Sequence, residues 1–420
     1  MKMFIDVRPG ERLKTFLMAG YFFLVIALVY ILKPVRTALF LDDLGAANLR
    51  FVYMGEGLFL IGVVWTYVQL AQRMSKRLLH SGLMLFFVAC LAGFRLLFTM
   101  QVPLLSALFY IWVSGFSITM TTQFWILAND LYRHDEAKRL FGLMISTGSL
   151  GGIAGGILAG QAGHWYKTED LLWVAAGTLI LCVLLIQRLW REIPSEHHAA
   201  EVDVPGPETF ANSKIVLKAH YLILLTALIL MAKIGATVVD NQFSQAVEIF
   251  VQGKEARTAF FGNFSALLNG LSFSMQFLVT GLALRFLGAG RSLAVLPSGL
   301  CLFAGLSLFS PSLTSSMILK LFDGSVNYSI QQAAKEMLYL PLSSALRHRI
   351  KPVTDMLGFR AAKSLAGLYI FAATTVFHIP STRLEVLVWM IAPVWFWIVW
   401  QLQKGYKHHL HLNLTAKRNA

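Results

Sequence analysis

Charged side chains are scarce in this chain, and acidic ones are scarcer than basic ones. Of 420 residues, 14% are charged, with 22 Asp and Glu against 36 Lys and Arg. The hydrophobic fraction is 56% and the mean hydropathy is +0.62. A water-soluble domain of this length would have too much apolar surface to bury. The composition therefore predicts an integral membrane protein.

Three further features are missing. Segments that alternate apolar and polar residues with a period of two do not occur, which excludes an outer-membrane β-barrel. The three cysteines stand singly in different apolar runs without a CxxC partner, so neither a disulfide framework nor a metal site is predicted. No Ser/His/Asp, HExxH or paired-carboxylate signature is present. We therefore predict no enzyme activity and no cofactor.

Long apolar runs are what the chain does have. They are about 18 to 25 residues long, which is the length a helix needs to cross the hydrocarbon core of a bilayer. Two six-helix bundles, 1–190 and 219–420, flank a polar cytoplasmic linker, 191–218, and the chain ends in a basic cytoplasmic tail. This plan is typical of the all-α major facilitator fold, with about twelve transmembrane helices. The predicted spans are 15–40, 51–71, 79–98, 103–129, 140–163, 169–190, 219–247, 260–284, 290–310, 313–340, 353–378 and 383–403.

The basic residues are unevenly distributed over the predicted loops. Twenty-three of the 36 Lys and Arg residues lie in segments on the side of the termini, five lie on the opposite side, and eight lie within or at the ends of spans. By the positive-inside rule, both termini are predicted to be cytoplasmic, in a bacterial-type inner membrane. The spread over seven short segments argues against a nucleic-acid interface. The lipid bilayer is a predicted partner, and the chain is expected to be a monomer.

Two segments 200 residues apart are almost copies of each other. YFFLVIALVYILKPVRTALF begins at Tyr21 and YLILLTALILMAKIGATVVD begins at Tyr221. The match places Lys33 and Lys233 near the same end of two equivalent helices, as expected for the internal repeats of transporters. Arg36 follows Lys33 by one helical turn. Snorkelling of both lysines toward the outer headgroups is the alternative to a role in a cavity.

Eight cations fall at membrane depth, where an unpaired charge is costly. They are Lys33, Arg36, Arg95, Lys233, Lys320, Lys335, Arg360 and Lys363. The candidate acids for pairing with these cations are Glu56, Asp240, Asp323 and Glu336, too few to neutralise all eight even if every pair formed. We therefore predict a cationic cavity that suits phosphates or carboxylates.

The most polar stretch of the second half contains two candidate pairs. Lys335 is followed by Glu336, and Lys335 could simply form an ion pair with Glu336 or with Asp323. Arg360 and Lys363 lie three residues apart, on one face of the eleventh predicted span. Lys363 is the single strongest candidate for anion binding.

The glycine run GSLGGIAGGILAG lies in the fifth predicted span. Gly151 and Gly155, Gly152 and Gly156 are each spaced by four residues, which is the small-xxx-small pattern of closely packed membrane helices. The run therefore predicts close helix packing and not a phosphate-binding loop.

Four blocks, spread over the whole length, carry a family resemblance. FWILANDLYRHDEAKRLFGL is similar to FWxFANxxxxxDEAKxxYxLxG, and NYSIQQAAKEMLYLPL is similar to KYSxxDPxKEMxYIPL. TDMLGFRAAKS is similar to DxxxxPLGKS, and ILKPVRTALFLDDLGA is similar to a charged first-span block. These blocks are those of the ATP/ADP translocase family, the nucleotide transporters of plastids and intracellular bacteria. The resemblance implies ATP/ADP-type exchange, or transport of a related phosphorylated anion, by alternating access.

The resemblance also implies substrate roles for single residues. Arg36, Asp240 and Lys363 fall where the family has a lysine, a glutamate and a lysine, whereas a fourth family residue, a glutamate, falls near Val113. With this acid missing, a phosphate-bearing anion of some kind is the expected substrate. We expect Arg36 and Lys363 to bind phosphate from opposite halves, while Asp240 pairs with a cation in the empty state. The other predicted substrate-binding residues are Lys33, Lys233, Lys335, Glu336 and Arg360.

Two other functions stay open at this level. The missing acid and the 31 Phe residues are compatible with an exporter or flippase of an anionic amphiphilic or lipid-linked substrate. A non-transporting membrane sensor would use the linker and the basic tail as contact surfaces. The cost of placing eight cations in the membrane argues against a mere scaffold.

Overall fold

The computed structural model describes residues 7–132, 134–163, 165–192, 214–339, 361–380 and 383–418. In these ranges the long elements are all α-helices, and no strand occurs. A π-helical turn, Asn327–Gln331, joins helix α10, Leu313–Val326, to helix α11, Gln332–Leu338. We refer to the two helices with this turn as the α10–α11 rod. The helices are α1 Arg12–Asp43, α2 Leu49–Arg73, α3 Lys76–Leu97, α4 Pro103–Leu131, α5 His134–Ala162, α6 Leu171–Glu192, α7 Lys214–Phe250, α8 Lys254–Leu278, α9 Thr280–Phe309, α10 Leu313–Val326, α11 Gln332–Leu338, α12 361–375 and α13 Val386–Arg418.

The number of helical rods matches the sequence prediction. When the α10–α11 rod is counted once, the described part of the chain contains twelve. Nine of these helices are long and apolar enough to cross a membrane, namely α1 to α7, α9 and α13. The all-α membrane fold predicted from the sequence is confirmed.

The three remaining rods coincide with the predicted spans 260–284, 313–340 and 353–378. They are α8, the α10–α11 rod and α12, and they are more polar or shorter than the other nine. The α10–α11 rod carries Lys320, Asp323, Lys335 and Glu336. Charged side chains at these positions indicate a helix that faces protein or a water-filled cavity, because lipid would not tolerate them.

Helix α1 is buried on most of its surface. Leu17, Tyr21, Leu28 and Leu32 are buried at helical spacing along it, which is the pattern of a helix inside a bundle. The helix ends where Gly45 adopts a φ of +76°. A residue without a Cβ takes this left-handed conformation at little cost, so Gly45 gives α1 a sharp C-terminal stop.

The chain divides into two compact units, and each is described by itself. Unit 1 comprises the described residues within Met1–Ala46, Phe59–Val202 and Val251–Gly270. Unit 2 comprises those within Ala47–Leu58, Asp203–Phe250 and Leu271–Ala420. The sequence predicted halves that divide at the linker 191–218, and this division stays a prediction, because residues 193–213 lie outside the described ranges.

Glycines allow α5 to pack very closely against two helices of unit 1. A Cβ atom at Gly151 would lie 2.2 Å from the carbonyl oxygen of Phe23, and one at Gly155 would lie 2.2 Å from that of Ala27. Gly156 meets the backbone of α8 at similarly short range. Any larger residue would push these backbones apart, since real Cβ atoms do not approach so closely. The close packing predicted for the glycine run is thus present.

Candidate anion-binding site

The α10–α11 rod supplies the polar side chains of unit 2. Asp323, Asn327, Gln331 and Lys335 follow one another at intervals of four residues, and the π-helical turn Asn327–Gln331 lies among them. Asp323 and Gln331 are buried. Single π-helical turns occur frequently at functional sites, where they redirect side chains. This rod is therefore the natural framework for a polar site.

Lys320 holds two aspartates together. Its Nζ lies 2.5 Å from Oδ1 of Asp240 on α7 and 3.1 Å from Oδ2 of Asp323 on the same helix. The side chain of Asp323 is 2% exposed, whereas that of Asp240 is 46% exposed. The ammonium thus neutralises a buried carboxylate and leaves part of a second one accessible.

The sequence predicted Asp240 as a site residue but missed Lys320 as its partner. Lys320 was counted among the cations at membrane depth without being assigned to the site. The three-residue spacing between Lys320 and Asp323 was the available signal, because it places both side chains on one helix face. The contact to Asp240 depends on how α10 packs against α7, which helix periodicity does not specify.

A cavity of about 250 Å³ lies between α7 and the α10–α11 rod. Two predicted residues, Lys233 and Lys335, line it together. The Nζ of Lys233 lies 5.8 Å from the centre of the Tyr328 ring, which is 56% exposed. Two ammonium groups beside an aromatic face and side-chain amides can hold an anion with a planar group attached. The complete lining is Leu228, Ile229, Ala232, Lys233, Asn327, Tyr328, Gln331, Gln332 and Lys335.

Lys363 lies on α12, and it forms an ion pair with the start of α2. Its Nζ lies 2.5 Å from Oε2 of Glu56 and 5.1 Å from the centre of the Tyr53 ring. The next residue, Ser364, donates a hydrogen bond of 3.0 Å to the carbonyl oxygen of Met54. Glu56 is buried. The residue judged strongest from the sequence is therefore neutralised by a carboxylate 307 positions away, a pairing that the sequence did not predict.

Arg36, in unit 1, is held by neutral oxygens. Its Nη1 donates to the carbonyl oxygen of Tyr110 at 3.1 Å and to the hydroxyl of Ser114, and its guanidinium lies 4.1 Å from the centre of the Tyr110 ring. Arg36 is 8% exposed, so it does not reach toward headgroups. Val113, where the resemblance implies a glutamate, is fully buried in the core of unit 1. The place of a carboxylate partner is thus taken by a hydroxyl and a peptide carbonyl.

The repeated segments have the same local geometry. The hydroxyl of Thr37 donates to the carbonyl oxygen of Lys33 at 3.0 Å, and that of Thr237 donates to the carbonyl oxygen of Lys233 at 2.8 Å. The Nζ of Lys33 lies 4.7 Å from the centre of the Tyr30 ring. Each lysine thus has an aromatic ring nearby, although one ring comes from its own helix and the other from the α10–α11 rod.

Two further predicted residues complete the account. Glu336 accepts a hydrogen bond of 3.2 Å from the side-chain amide of Gln332, one turn earlier in the α10–α11 rod. Arg360 lies outside the described residues. The roles assigned to both from the sequence stay predictions.

The fold is that of multi-pass membrane proteins of the major facilitator type. A bacterial homologue of the iron transporter ferroportin, solved in an inward-facing state, superposes with a TM-score of 0.67 at 14% identity, over 94% of this chain and 98% of that one. The nucleoside transporter NupG superposes with a TM-score of 0.63 at 13% identity, over 94% and 99%. At these identities the likeness concerns the fold alone.

Sequence comparison gives a more specific result. The chain is similar to ADP,ATP carrier protein 4 of Rickettsia bellii (strain RML369-C), with 24% identity over 343 residues, which are 69% of this chain and 65% of the relative. It is also similar to ADP,ATP carrier protein 3 of the same organism, with 21% identity over 71% of this chain and 70% of the relative. The chain thus spans about two thirds of the length of these relatives. No protein-family model matches the chain.

These relatives confirm the predicted resemblance to ATP/ADP translocases. The relatives and the structural neighbours named above are carriers and transporters, not enzymes. The cytoplasmic position of the chain's termini stays a prediction.

Proposed function

We propose that this protein carries nucleotides, or a related phosphorylated anion, across the membrane by alternating access. The observation that carries the proposal is the cavity of unit 2 in which Lys233 and Lys335 lie beside the exposed ring of Tyr328. The similarity to ADP,ATP carrier proteins supports the same substrate class. An ammonium pair matches the phosphates, and an aromatic ring offers a stacking face for a base.

The size of the cavity limits what it can hold. Its volume of about 250 Å³ is below the range of roughly 300 to 1,000 Å³ that encloses whole small-molecule ligands. We infer that it receives the phosphate groups and leaves the rest of the substrate outside it. The charges beside the cavity fit this role, since Lys233 and Lys335 line it, and Lys320 next to it is paired with Asp240 and Asp323.

These charges also favour exchange over one-way transport. The ammonium groups of Lys233 and Lys335 both face the cavity while it is empty. Moving such charge through the low-dielectric interior is unfavourable, and a bound anion removes the penalty. We therefore infer that like anions are carried in both directions, each return step being made with an anion bound.

Lys363 and Glu56 act as an exchangeable pair in this proposal. Without substrate, the carboxylate of Glu56 neutralises the ammonium at 2.5 Å. A phosphate oxygen that reaches Lys363 replaces that carboxylate, so the lysine is paired in both states. Glu56 is thereby a competitor of the substrate, and it lowers affinity enough to permit release.

Uptake of radiolabelled ATP, ADP and other nucleotides into reconstituted vesicles tests the proposal. Lys363→Ala should lower uptake by roughly 10- to 100-fold, because a hydrogen bond to a charged group contributes about 1.5 to 3 kcal/mol. Glu56→Gln should instead lower KM, by about tenfold if the competition is worth about 1.4 kcal/mol. Opposite effects of the two substitutions would distinguish a substrate-binding pair from a structural one.

Unit 1 offers a matched control. Lys254 lies 2.5 Å from Glu169, with side-chain exposures similar to those of Lys363 and Glu56. Lys254→Ala removes an ion pair of the same kind and should leave nucleotide uptake close to that of the unmodified protein. The proposal fails if no nucleotide shows saturable uptake, or if Lys363→Ala and Lys254→Ala behave alike.

A further inference from the structure

A second cavity, of about 340 Å³, lies in unit 2 away from the one described above. It is bounded by the start of α2, by α7 beyond Asp240, and by the end of α12 with the turn that follows. These helix ends are on the side predicted to be extracytoplasmic. The lining residues are Ala47, Arg50, Asn241, Gln245, Ile370, Thr374, His378, Ile379 and Pro380.

Two buried donors of this cavity have no hydrogen-bond partner. They are Nε of Arg50 and Nδ2 of Asn241. Asn241 is 1% exposed, and its Oδ1 accepts a hydrogen bond of 2.7 Å from Gln245. Buried donors are nearly always satisfied in folded proteins, and an unsatisfied one calls for a specific explanation. Both residues line the cavity, so a ligand with acceptor oxygens would lie next to these donors.

The guanidinium of Arg50 is held in position, while some of its N–H groups remain available to a ligand. Its Nη1 donates to the hydroxyl of Thr374, and its guanidinium lies 5.0 Å and 5.6 Å from the ring centres of Phe51 and Phe371. A Cβ at Gly367 would lie 2.7 Å from the carbonyl oxygen of Arg50, so α12 approaches α2 closely here. A guanidinium fixed by rings and by one hydrogen bond is already arranged to receive an oxyanion.

Within the described part of the chain, Arg50 forms no ion pair with an acidic side chain. None of the residues that line the cavity is Asp or Glu, and no carboxylate within the described ranges forms an ion pair with this guanidinium. The contrast with Lys363 is direct, because that cation is paired with a carboxylate. The positive charge of Arg50 is thus available to a ligand.

His378 lies at the edge of the cavity in an unusual conformation. Its φ is +50°, a left-handed conformation that glycine adopts more readily than histidine. The N–H groups of Phe377 and Ile379 donate to the carbonyl oxygens of Ala372 and Ala373, at 3.2 Å and 3.0 Å. The end of α12 is therefore capped by its own turn, and Arg50 is not needed for that purpose. An imidazole here can donate a further hydrogen bond into the cavity.

We propose that this cavity is a second anion site, which binds one phosphate group. The guanidinium of Arg50, the amide of Asn241 and the imidazole of His378 offer donors from three elements, which suits a tetrahedral oxyanion better than a planar carboxylate. The phosphate belongs either to a free phosphorylated solute or to the headgroup of an anionic lipid. The site is separate from the cavity of Lys233, and it does not depend on nucleotide transport.

The thermal unfolding of the purified full chain, in a phosphate-free detergent, tests this site. Millimolar inorganic phosphate should raise Tm of the unmodified protein, and Arg50→Gln should lower that rise to the part contributed by the cavity of Lys233. Arg95→Gln is the matched control, because Arg95 is an arginine of unit 1 that pairs with Asp170 at 2.6 Å. Its phosphate-dependent rise in Tm should be unchanged.

His378→Gly provides a second variant that keeps the fold. Glycine accepts the positive φ better than histidine, so the variant should be at least as stable as the original without phosphate. It should nevertheless show a smaller phosphate-dependent rise in Tm, because the imidazole donor is lost. An unchanged rise in both His378→Gly and Arg50→Gln would overturn the site.

Two further measurements identify the source of the phosphate. The same variants are incorporated into nanodiscs with and without phosphatidylglycerol. A stabilisation that depends on Arg50 and on this lipid, without an effect of free phosphate, assigns the site to a headgroup, and the converse assigns it to a solute. Absence of any effect that depends on Arg50 overturns the proposal. The proposal is also overturned if the phosphate-dependent rise in Tm is lost in Lys233→Gln and retained in Arg50→Gln.

Discussion

Helices α1 and α7 carry the repeated segment, with a lysine and a threonine at equivalent positions, and hold their charges in opposite ways. In both, a threonine hydroxyl donates to the carbonyl oxygen of the lysine one turn earlier. Helix α1 then carries a cation, Arg36, whose Nη1 donates to a carbonyl and a hydroxyl of α4. Helix α7 carries an acid, Asp240, which is satisfied by the ammonium of Lys320.

The difference shows that the repeated sequence determines the backbone geometry of α1 and α7, whereas the helices packed against them determine how each charge is balanced. A cation held by neutral oxygens keeps its full charge, whereas an ion pair cancels much of it. Unit 1 therefore keeps a positive charge at Arg36, and unit 2 keeps a network in which gain or loss of one partner changes the net charge. Substitutions of the two kinds should have different consequences.

The largest expected effect comes from breaking the network of unit 2. Lys320→Met leaves Asp323 as a buried carboxylate without its cation, and removal of one partner of a buried pair costs about 3 to 5 kcal/mol. The free energy of unfolding in detergent should fall by this amount. The triple variant Lys320→Met, Asp240→Asn, Asp323→Asn should regain most of it, because no uncompensated charge remains.

An exposed ion pair provides the reference for this experiment. Lys76 lies 2.8 Å from Asp130, with side chains that are 57% and 29% exposed. Lys76→Met should change the free energy of unfolding by no more than about 1 kcal/mol, as surface pairs do. Equal losses for Lys320→Met and Lys76→Met would show that the network of unit 2 is solvated and contributes little.

A smaller effect is expected from Arg36 in unit 1. Arg36→Gln removes the charge while an amide can still donate to the carbonyl oxygen of Tyr110, so the loss of stability should be about 1.5 to 3 kcal/mol. Nucleotide uptake should fall in parallel, because a positive charge has been removed. Arg36→Lys should restore part of the uptake without the ring contact to Tyr110.

The substitution Ser114→Ala separates the contribution of the charge of Arg36 from that of its hydrogen-bond geometry. This substitution leaves the charge of Arg36 and removes one neutral acceptor. It should lower stability by about 1 kcal/mol and leave uptake nearly unchanged. If uptake fell as much as in Arg36→Gln, geometry and not charge would be the property that matters at this position.

Features encoded by local periodicity could be predicted from the sequence. The repeat gave the equivalent positions of Lys33 and Lys233, and the spacing of Gly151 and Gly155 gave the close approach of α5 to α1. The polar spacing of the α10–α11 rod placed Lys335 at a site. In each case, one helix and its 3.6-residue repeat contain the relevant signal.

Features that depend on which helices meet could not be predicted. Lys363 and Glu56 are 307 residues apart, and nothing in either segment marks the other as its partner. The sequence named Glu56 among the candidate acids, but it could not say that Glu56 and Lys363 would form one ion pair. The cavity of Arg50 was missed for the same reason, because its donors come from three separate helices and their turns.

The smallest predicted effect tests whether the repeated segments of α1 and α7 are structurally equivalent. Thr37→Val and Thr237→Val each remove one hydroxyl that donates to a carbonyl one turn earlier, a contact that affects helices only weakly. Hydrogen bonds within membrane helices contribute about 0.6 kcal/mol on average, so each variant should lose a similar small amount in an unfolding experiment. Because the two sites lie in separate units, the double variant should lose the sum of the two. The free energy of unfolding could fall clearly more in Thr237→Val than in Thr37→Val. The hydroxyl of Thr237 would then also position Lys233 for the cavity, and the two repeated segments would not be equivalent in backbone structure.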